Sequence, residues 1–187
     1  PQLLAGPIER SRNLLAQVNR HIKFDNELAY HGLMTVIWGY FLKLVLADNA
    51  GFYADLVFTD VHNIKDGISI LWAFFLFAFQ IYGDFAGYTF IAIGCAEILG
   101  FRLVKNFDAP YFSGSLPEFW RRWHMSLSLW IRDYLYIPLG GNRKGKLRTY
   151  LNLLASFAVS GLWHGANFTY LAWGVMNGAA VCAEKAV

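Results

Sequence analysis

Long apolar runs separated by short polar breaks set the plan of the chain. Residues 29–47 (AYHGLMTVIWGYFLKLVLA) form the first run. About 20 residues are enough for a helix to cross a bilayer core. Residues 67–82 (GISILWAFFLFAFQIY) are the most apolar run. Gly83-Asp84 interrupts it, and residues 86–101 (AGYTFIAIGCAEILGF) follow at once, either as a separate helix or as the rest of a kinked one. Residues 149–163 and 166–182 predict two more apolar helices, joined at His164-Gly165. The pattern predicts an all-α, multi-pass transmembrane fold with interfacial or re-entrant helices, forming one membrane domain over residues 1–187.

The polar breaks add detail. Residues 1–27 open with PQLLAGPIER and turn basic (Arg10, Arg12, Arg20, Lys23), which predicts a loop leading into an interfacial segment. Lys43 is the one full charge in the first run and can snorkel outward, with Asp48-Asn49 ending that run. Residues 102–116 read as a polar connector containing Pro110 and Gly114. Ser115, followed by Leu116-Pro117-Glu118, is a helix start signal. It predicts a helix over 117–132, with Phe119, Trp120, Trp123 and Trp130 at helical spacings and Arg121, Arg122 and Arg132 between them. That pattern suits a helix lying in the interface or dipping partway into the bilayer. Gly140-Gly141-Asn142 turns into a basic loop.

Composition agrees with a lipid environment. The 187 residues are 56% hydrophobic, 18% aromatic and 16% charged, against about 25% charged in a soluble domain. A net charge of +3 is too small to argue for nucleic acid. Its distribution says more. Residues 143–148 (RKGKLR) carry four positive charges and no negative one, whereas Asp48, Asp55, Asp60 and Asp66 face a single Lys65. The positive-inside rule puts the first stretch in the cytoplasm and the second outside. Cys95 and Cys182 lie in apolar runs and read as free thiols. No spacing resembles a zinc site, so no metal is expected. The start at Pro1 and the apolar end (VCAEKAV) suggest a piece of a longer protein, with no signal peptide.

Ionisable residues inside apolar runs are costly and mark function by default. His164 lies in Trp163-His164-Gly165-Ala166-Asn167, between two such runs. Gly165 would allow close backbone approach. An imidazole kept neutral by desolvation could take a proton from an attacking hydroxyl; it could equally serve as a packing hydrogen bond between helices. His124 shares its helix with Arg121 and Arg122 and reads first as an interfacial residue. Asp84 reads as the cap of a helix beginning near Phe85, ahead of any catalytic role. Asp133 reads as the ion-pair partner of Arg132, and His21, His31 and His62 as ordinary loop or interface residues.

FWRRWHMSLSLWIRDYLYIPLGG, followed by SGLWHGANFTYLAWGVMNG, resembles the membrane-bound O-acyltransferase family, in its bacterial alginate O-acetylation branch. GDFAGYTFIAIGCAEILGF (83–101), NFDAPY (106–111) and the opening PQLLAGPIER fit the same branch, so the likeness runs from residue 1 to about residue 179. The resemblance implies a catalytic histidine at His164, a second site residue at His124, and substrate-shaping roles for Trp163 and Asn167. It implies acyl transfer from a thioester to a hydroxyl, with acetyl-CoA or another acyl thioester as donor and no bound cofactor. The expected acceptor is an exported, alginate-like polysaccharide. The expected partners are membrane lipids and periplasmic polysaccharide-acetylation proteins, at the bacterial inner membrane. Two rival readings stay open: a non-catalytic acyl conduit or transporter, and a scaffold subunit for a periplasmic acetyltransferase.

Overall fold

The computed structural model describes residues 6–21, 23–60, 62–64 and 66–186; the opening Pro1 to Ala5 of the family-like stretch lies outside these. Every regular element among the described residues is helical. The chain divides into two compact units, Pro1–Val104 and Lys105–Val187.

The first unit begins with α1 (Ser11–Val18). The Gln17 side chain holds it to the connector: its Nε2 donates to the Arg102 carbonyl at 2.9 Å, and its Oε1 accepts from the Arg102 N–H at 2.8 Å. Next come α2 (Asn26–Tyr40), a π-helical stretch (Phe41–Ala47) and α3 (Asp48–Thr59), running as one continuous rod. The rod does not stop at Asp48-Asn49, as the sequence suggested. Asn49 Nδ2 donates back to the Val45 carbonyl at 2.8 Å, and the helix continues. A single long helix follows, α4 (Gly67–Ile98). By length and composition, Asn26–Thr59 and Gly67–Ile98 can each cross a membrane.

Gly83-Asp84 therefore does not break the chain into two helices, and Asp84 is no cap. The carboxylates that do cap these helices are Asp25, which accepts from the Glu27 and Leu28 N–H groups, and Asp66, which accepts from Ser69 N–H at 2.8 Å. Asp84 instead meets Lys43 at 2.5 Å, while Lys43 also meets Asp48 at 2.6 Å. Lys43 thus finds two carboxylates where snorkelling alone was expected. At the other end of the helix pair, His31 Nδ1 lies 2.8 Å from Glu97 Oε2, a contact its unremarkable sequence neighbours gave no hint of.

Between these polar ends the helices meet through glycine. A Cβ on Gly32 would stand 2.6 Å from the Gly94 carbonyl oxygen, and one on Gly39 would stand 2.7 Å from that of Gly87. The buried apolar positions in this unit are mostly alanines such as Ala47, Ala54, Ala73 and Ala86. The large side chains point outward, with Phe52 62% exposed and Trp72 58% exposed. Small residues inside and large ones outside invert the order of a water-soluble core. The arrangement suits helices in lipid, where close backbone packing replaces a hydrophobic driving force between them.

Gly39→Leu is expected to lower the unfolding midpoint in detergent, at a cost of about 1–3 kcal/mol from overpacking. Gly67→Ala meets nothing within 4 Å and is expected to leave the midpoint unchanged. Equal midpoints for the two variants would contradict the glycine contact.

Candidate functional site

In the second unit, α5 (Leu116–Arg122) starts where the sequence signals it. Ser115 Oγ accepts from Glu118 N–H at 3.2 Å, with Pro117 in the first turn. Glu118 turns back to accept from Gly114 N–H at 2.9 Å, and that bond holds its carboxyl below the usual range. Arg132 and Asp133 pair at 2.8 Å, as read from the sequence.

The expected helix over 117–132 is not continuous. It breaks at Trp123, which is extended, and at His124, which adopts a left-handed conformation with φ 43°. The chain then re-enters a helix, α6 (Met125–Ile131), and a π-helical stretch, Arg132–Tyr136. A left-handed conformation costs a residue other than glycine about 1–2 kcal/mol, so its surroundings must hold it.

Asn106 does the holding. A new helix start leaves backbone N–H groups without intrahelical acceptors, and the His124 side chain caps none of them. The Asn106 carbonyl accepts from Met125 N–H at 2.9 Å. Its side-chain Oδ1 accepts from Ser126 N–H at 3.1 Å and from Ser126 Oγ–H at 2.9 Å. His124 Nδ1 lies 3.2 Å from the same oxygen. One strand of connector further on, Asp108 N–H donates to the Arg122 carbonyl at 2.9 Å, closing the end of α5. Asn106 is 0% exposed and His124 is 4% exposed. Such burial favours the uncharged imidazole.

Aromatic packing seals the break. Trp123 meets Phe107 edge-on at 5.0 Å and stacks with Phe119 at 5.5 Å. Trp120 meets Phe157 and Trp173 edge-on at 5.3 and 5.8 Å. These two tryptophans therefore pack within the unit.

Two long helices complete the unit, α7 (Lys146–His164) and α8 (Phe168–Ala186). They run close together because Gly161, Gly174 and Gly178 leave no side chain at the contact. His164 is the last residue of α7. Gly165 follows it, and a Cβ there would stand 2.5 Å from the Tyr170 ring, which is the close approach the sequence suggested.

The two histidines, 40 residues apart in sequence, come together. Their ring centroids are 6.3 Å apart with planes at 61°. Trp163 packs edge-on against both, at 5.7 Å from His124 and 5.1 Å from His164. Trp173 packs edge-on against His164 at 5.5 Å. Both imidazoles line a cavity of about 420 Å³, with Trp120, Leu127 and Phe157 among its apolar walls and Ser128, Ser156 and Arg121 among its polar groups. Asn167 and Trp163 do not line it. Asn167 Oδ1 accepts from Thr169 N–H at 3.2 Å, so its side chain serves the start of α8. Asn106 and Ser126 lie in stretches that carry the family likeness, NFDAPY and FWRRWHMSLSLW, but nothing in the sequence singled them out as site residues. Only the return of the connector against α6 reveals them.

Comparison with known proteins gives this constellation a context. The profile of the membrane-bound O-acyltransferase family matches residues 1–187, and the chain belongs to that family. It is 45% identical over 187 residues to the probable alginate O-acetylase AlgI of Pseudomonas fluorescens, covering 100% of this chain and 37% of that protein. It is 38% identical over 190 residues to the peptidoglycan O-acetyltransferase of Helicobacter pylori, covering 100% of this chain and 36% of that protein. It is 29% identical over 191 residues to the teichoic acid D-alanyltransferase of Streptococcus thermophilus, covering 95% of this chain and 46% of that protein. The chain thus spans less than half the length of these relatives.

The left-handed backbone at His124 makes a separable contribution. His124→Gly is expected to be more stable than His124→Ala by about 1 kcal/mol, because glycine adopts positive φ without steric cost. Denaturant midpoints of the two variants measure this. Alanine matching or exceeding glycine would show that the break relaxes once the ring is gone.

Proposed function

We propose that the intact protein containing this chain is an O-acyltransferase. In this reading it passes an acetyl group from a thioester donor to a hydroxyl of an exported, alginate-like polysaccharide. The observation that carries the reading is the convergence of His124 and His164 on one largely apolar cavity. The named activities of its relatives, O-acetylation and D-alanyl transfer, are of the same chemical class.

The chemistry asked of the site is proton transfer at a hydroxyl. His164 takes the proton of the acceptor O–H as that oxygen attacks the thioester carbonyl. The new C–O bond forms, the C–S bond breaks, and the proton leaves with the thiolate. His124, uncharged and held by Asn106, acts as the second polar group of the site, positioning or polarising a reactant. The apolar walls keep water from competing for the acyl group.

The basic stretch RKGKLR (143–148) suits attraction of an anionic donor such as acetyl-CoA from the cytoplasmic side. The acceptor then lies toward the periplasm, where polysaccharide-acetylation proteins would receive or present it. In this reading the protein sits in the bacterial inner membrane and crosses it several times.

His164→Ala in the intact protein is expected to abolish polymer O-acetylation while protein levels in the membrane stay the same. The loss should amount to about 10²–10⁴-fold, the usual contribution of a positioned acid–base group. Acetylation that survives the substitution removes His164 from the chemistry and favours a conduit or scaffold role.

A further inference from the structure

The oxygen of Asn106 does more than cap a helix. It accepts from Ser126 N–H, a backbone donor that cannot reverse its role. The atom facing this position must therefore be the amide oxygen and not the amide nitrogen. An amide oxygen has no proton to give. His124 Nδ1, at 3.2 Å from it, must then be the donor. A neutral imidazole carries one N–H, so the lone pair resides on Nε2.

We infer that Asn106 is a positioning residue that locks His124 in the Nδ1–H tautomer and so presents Nε2 as the ring's proton-accepting atom. Ser126 is part of the same device, because its N–H and O–H fix which way the Asn106 amide faces. Burial of all three residues reinforces the lock: Asn106 is 0%, His124 4% and Ser126 4% exposed. With Asn106 fully buried, reversing the tautomer would leave Nδ1 and Oδ1 as two facing acceptors, a costly arrangement away from solvent. The titratable and charged groups near the ring include the His164 imidazole packed against it and the guanidiniums of Arg121 and Arg132, which line the same cavity.

The kinetic part of this inference rests on the acyltransferase reading; the tautomer does not. The test therefore has two arms on the intact, membrane-embedded protein. In the first, ¹⁵N spectra of ring-labelled histidine, assigned by loss of the signal in His124→Gln, are expected to show His124 protonated at Nδ1 and bare at Nε2 near neutral pH. The reverse pattern overturns the inference whatever the protein catalyses. In Asn106→Asp, a carboxylate still accepts from Ser126 and His124 but adds negative charge. The His124 titration midpoint is then expected to rise by about one pH unit or more, since a nearby opposite charge favours the protonated ring. An unmoved midpoint in folded protein also overturns the inference.

The second arm uses acetyl-CoA as donor and follows acetyl incorporation into membrane-associated polymer. Asn106→Ala is expected to lose about tenfold or more in kcat, part of the usual acid–base contribution, with KM little changed. Asn106→Asp should recover activity at alkaline pH, with its acidic limb displaced to higher pH. Should Asn106→Ala not accumulate, Asn106→Asp and its pH profile carry the arm. Wild-type rates in Asn106→Ala, or an Asp variant with an undisplaced profile, contradict the positioning role. A wild-type protein without any transfer counts against the acyltransferase reading alone and leaves the spectroscopic arm standing.

Discussion

A helix that restarts in an apolar setting must find acceptors for its first N–H groups. At His124 the chain turns left-handed and begins α6 without help from its own cap residue. The acceptors come from Asn106, through its carbonyl and its side-chain oxygen together. Without that connector residue, the break between α5 and α6 would leave buried backbone N–H groups unsatisfied, at a cost of about 1–3 kcal/mol per group. Asn106 holds the His124 side of the meeting between the two imidazoles, and Trp163 packs against both rings.

Both units use the same solution for bringing helices together. Glycine lines remove side chains where α2 passes α4 and where α7 passes α8. In water, burying large apolar groups would drive such contacts. In lipid the surrounding chains are as apolar as the side chains, and association comes from close van der Waals packing and polar contacts. The Lys43 bridge to Asp84 and the His31 contact with Glu97 add polar contacts between this rod and α4. The second unit also packs two helices through glycine. Gly161, Gly174 and Gly178 bring α7 and α8 together, and His164 emerges at the end of that tight pair.

Much of this was legible in the residues. The apolar runs at 29–47 and 67–101 announced helices long and apolar enough to cross a membrane, and Ser115 with Pro117 and Glu118 marked the start of α5 correctly. The pairing of Arg132 with Asp133 and the close approach at Gly165 were also foreseen. Other signals misled. Gly83-Asp84 looks like a break, yet a helix packed along its length tolerates glycine and pairs the aspartate with Lys43 across the contact. Aromatic residues at helical spacing over 117–132 hid the turn at Trp123-His124, because periodicity alone does not report a backbone held from outside.

The residue sequence by itself determined the class of structure and the helical runs, which follow from composition and period, local properties of the chain. It marked His164 by its place between two apolar runs, whereas His124 stood out only through the family resemblance. The tertiary structure decided which histidine is buried, that the two share a cavity, and that Asn106 fixes one of them. Those facts depend on contacts between residues 18 and 40 positions apart, where a hydrogen bond or a ring contact exists only once the backbone has brought both partners to the same place.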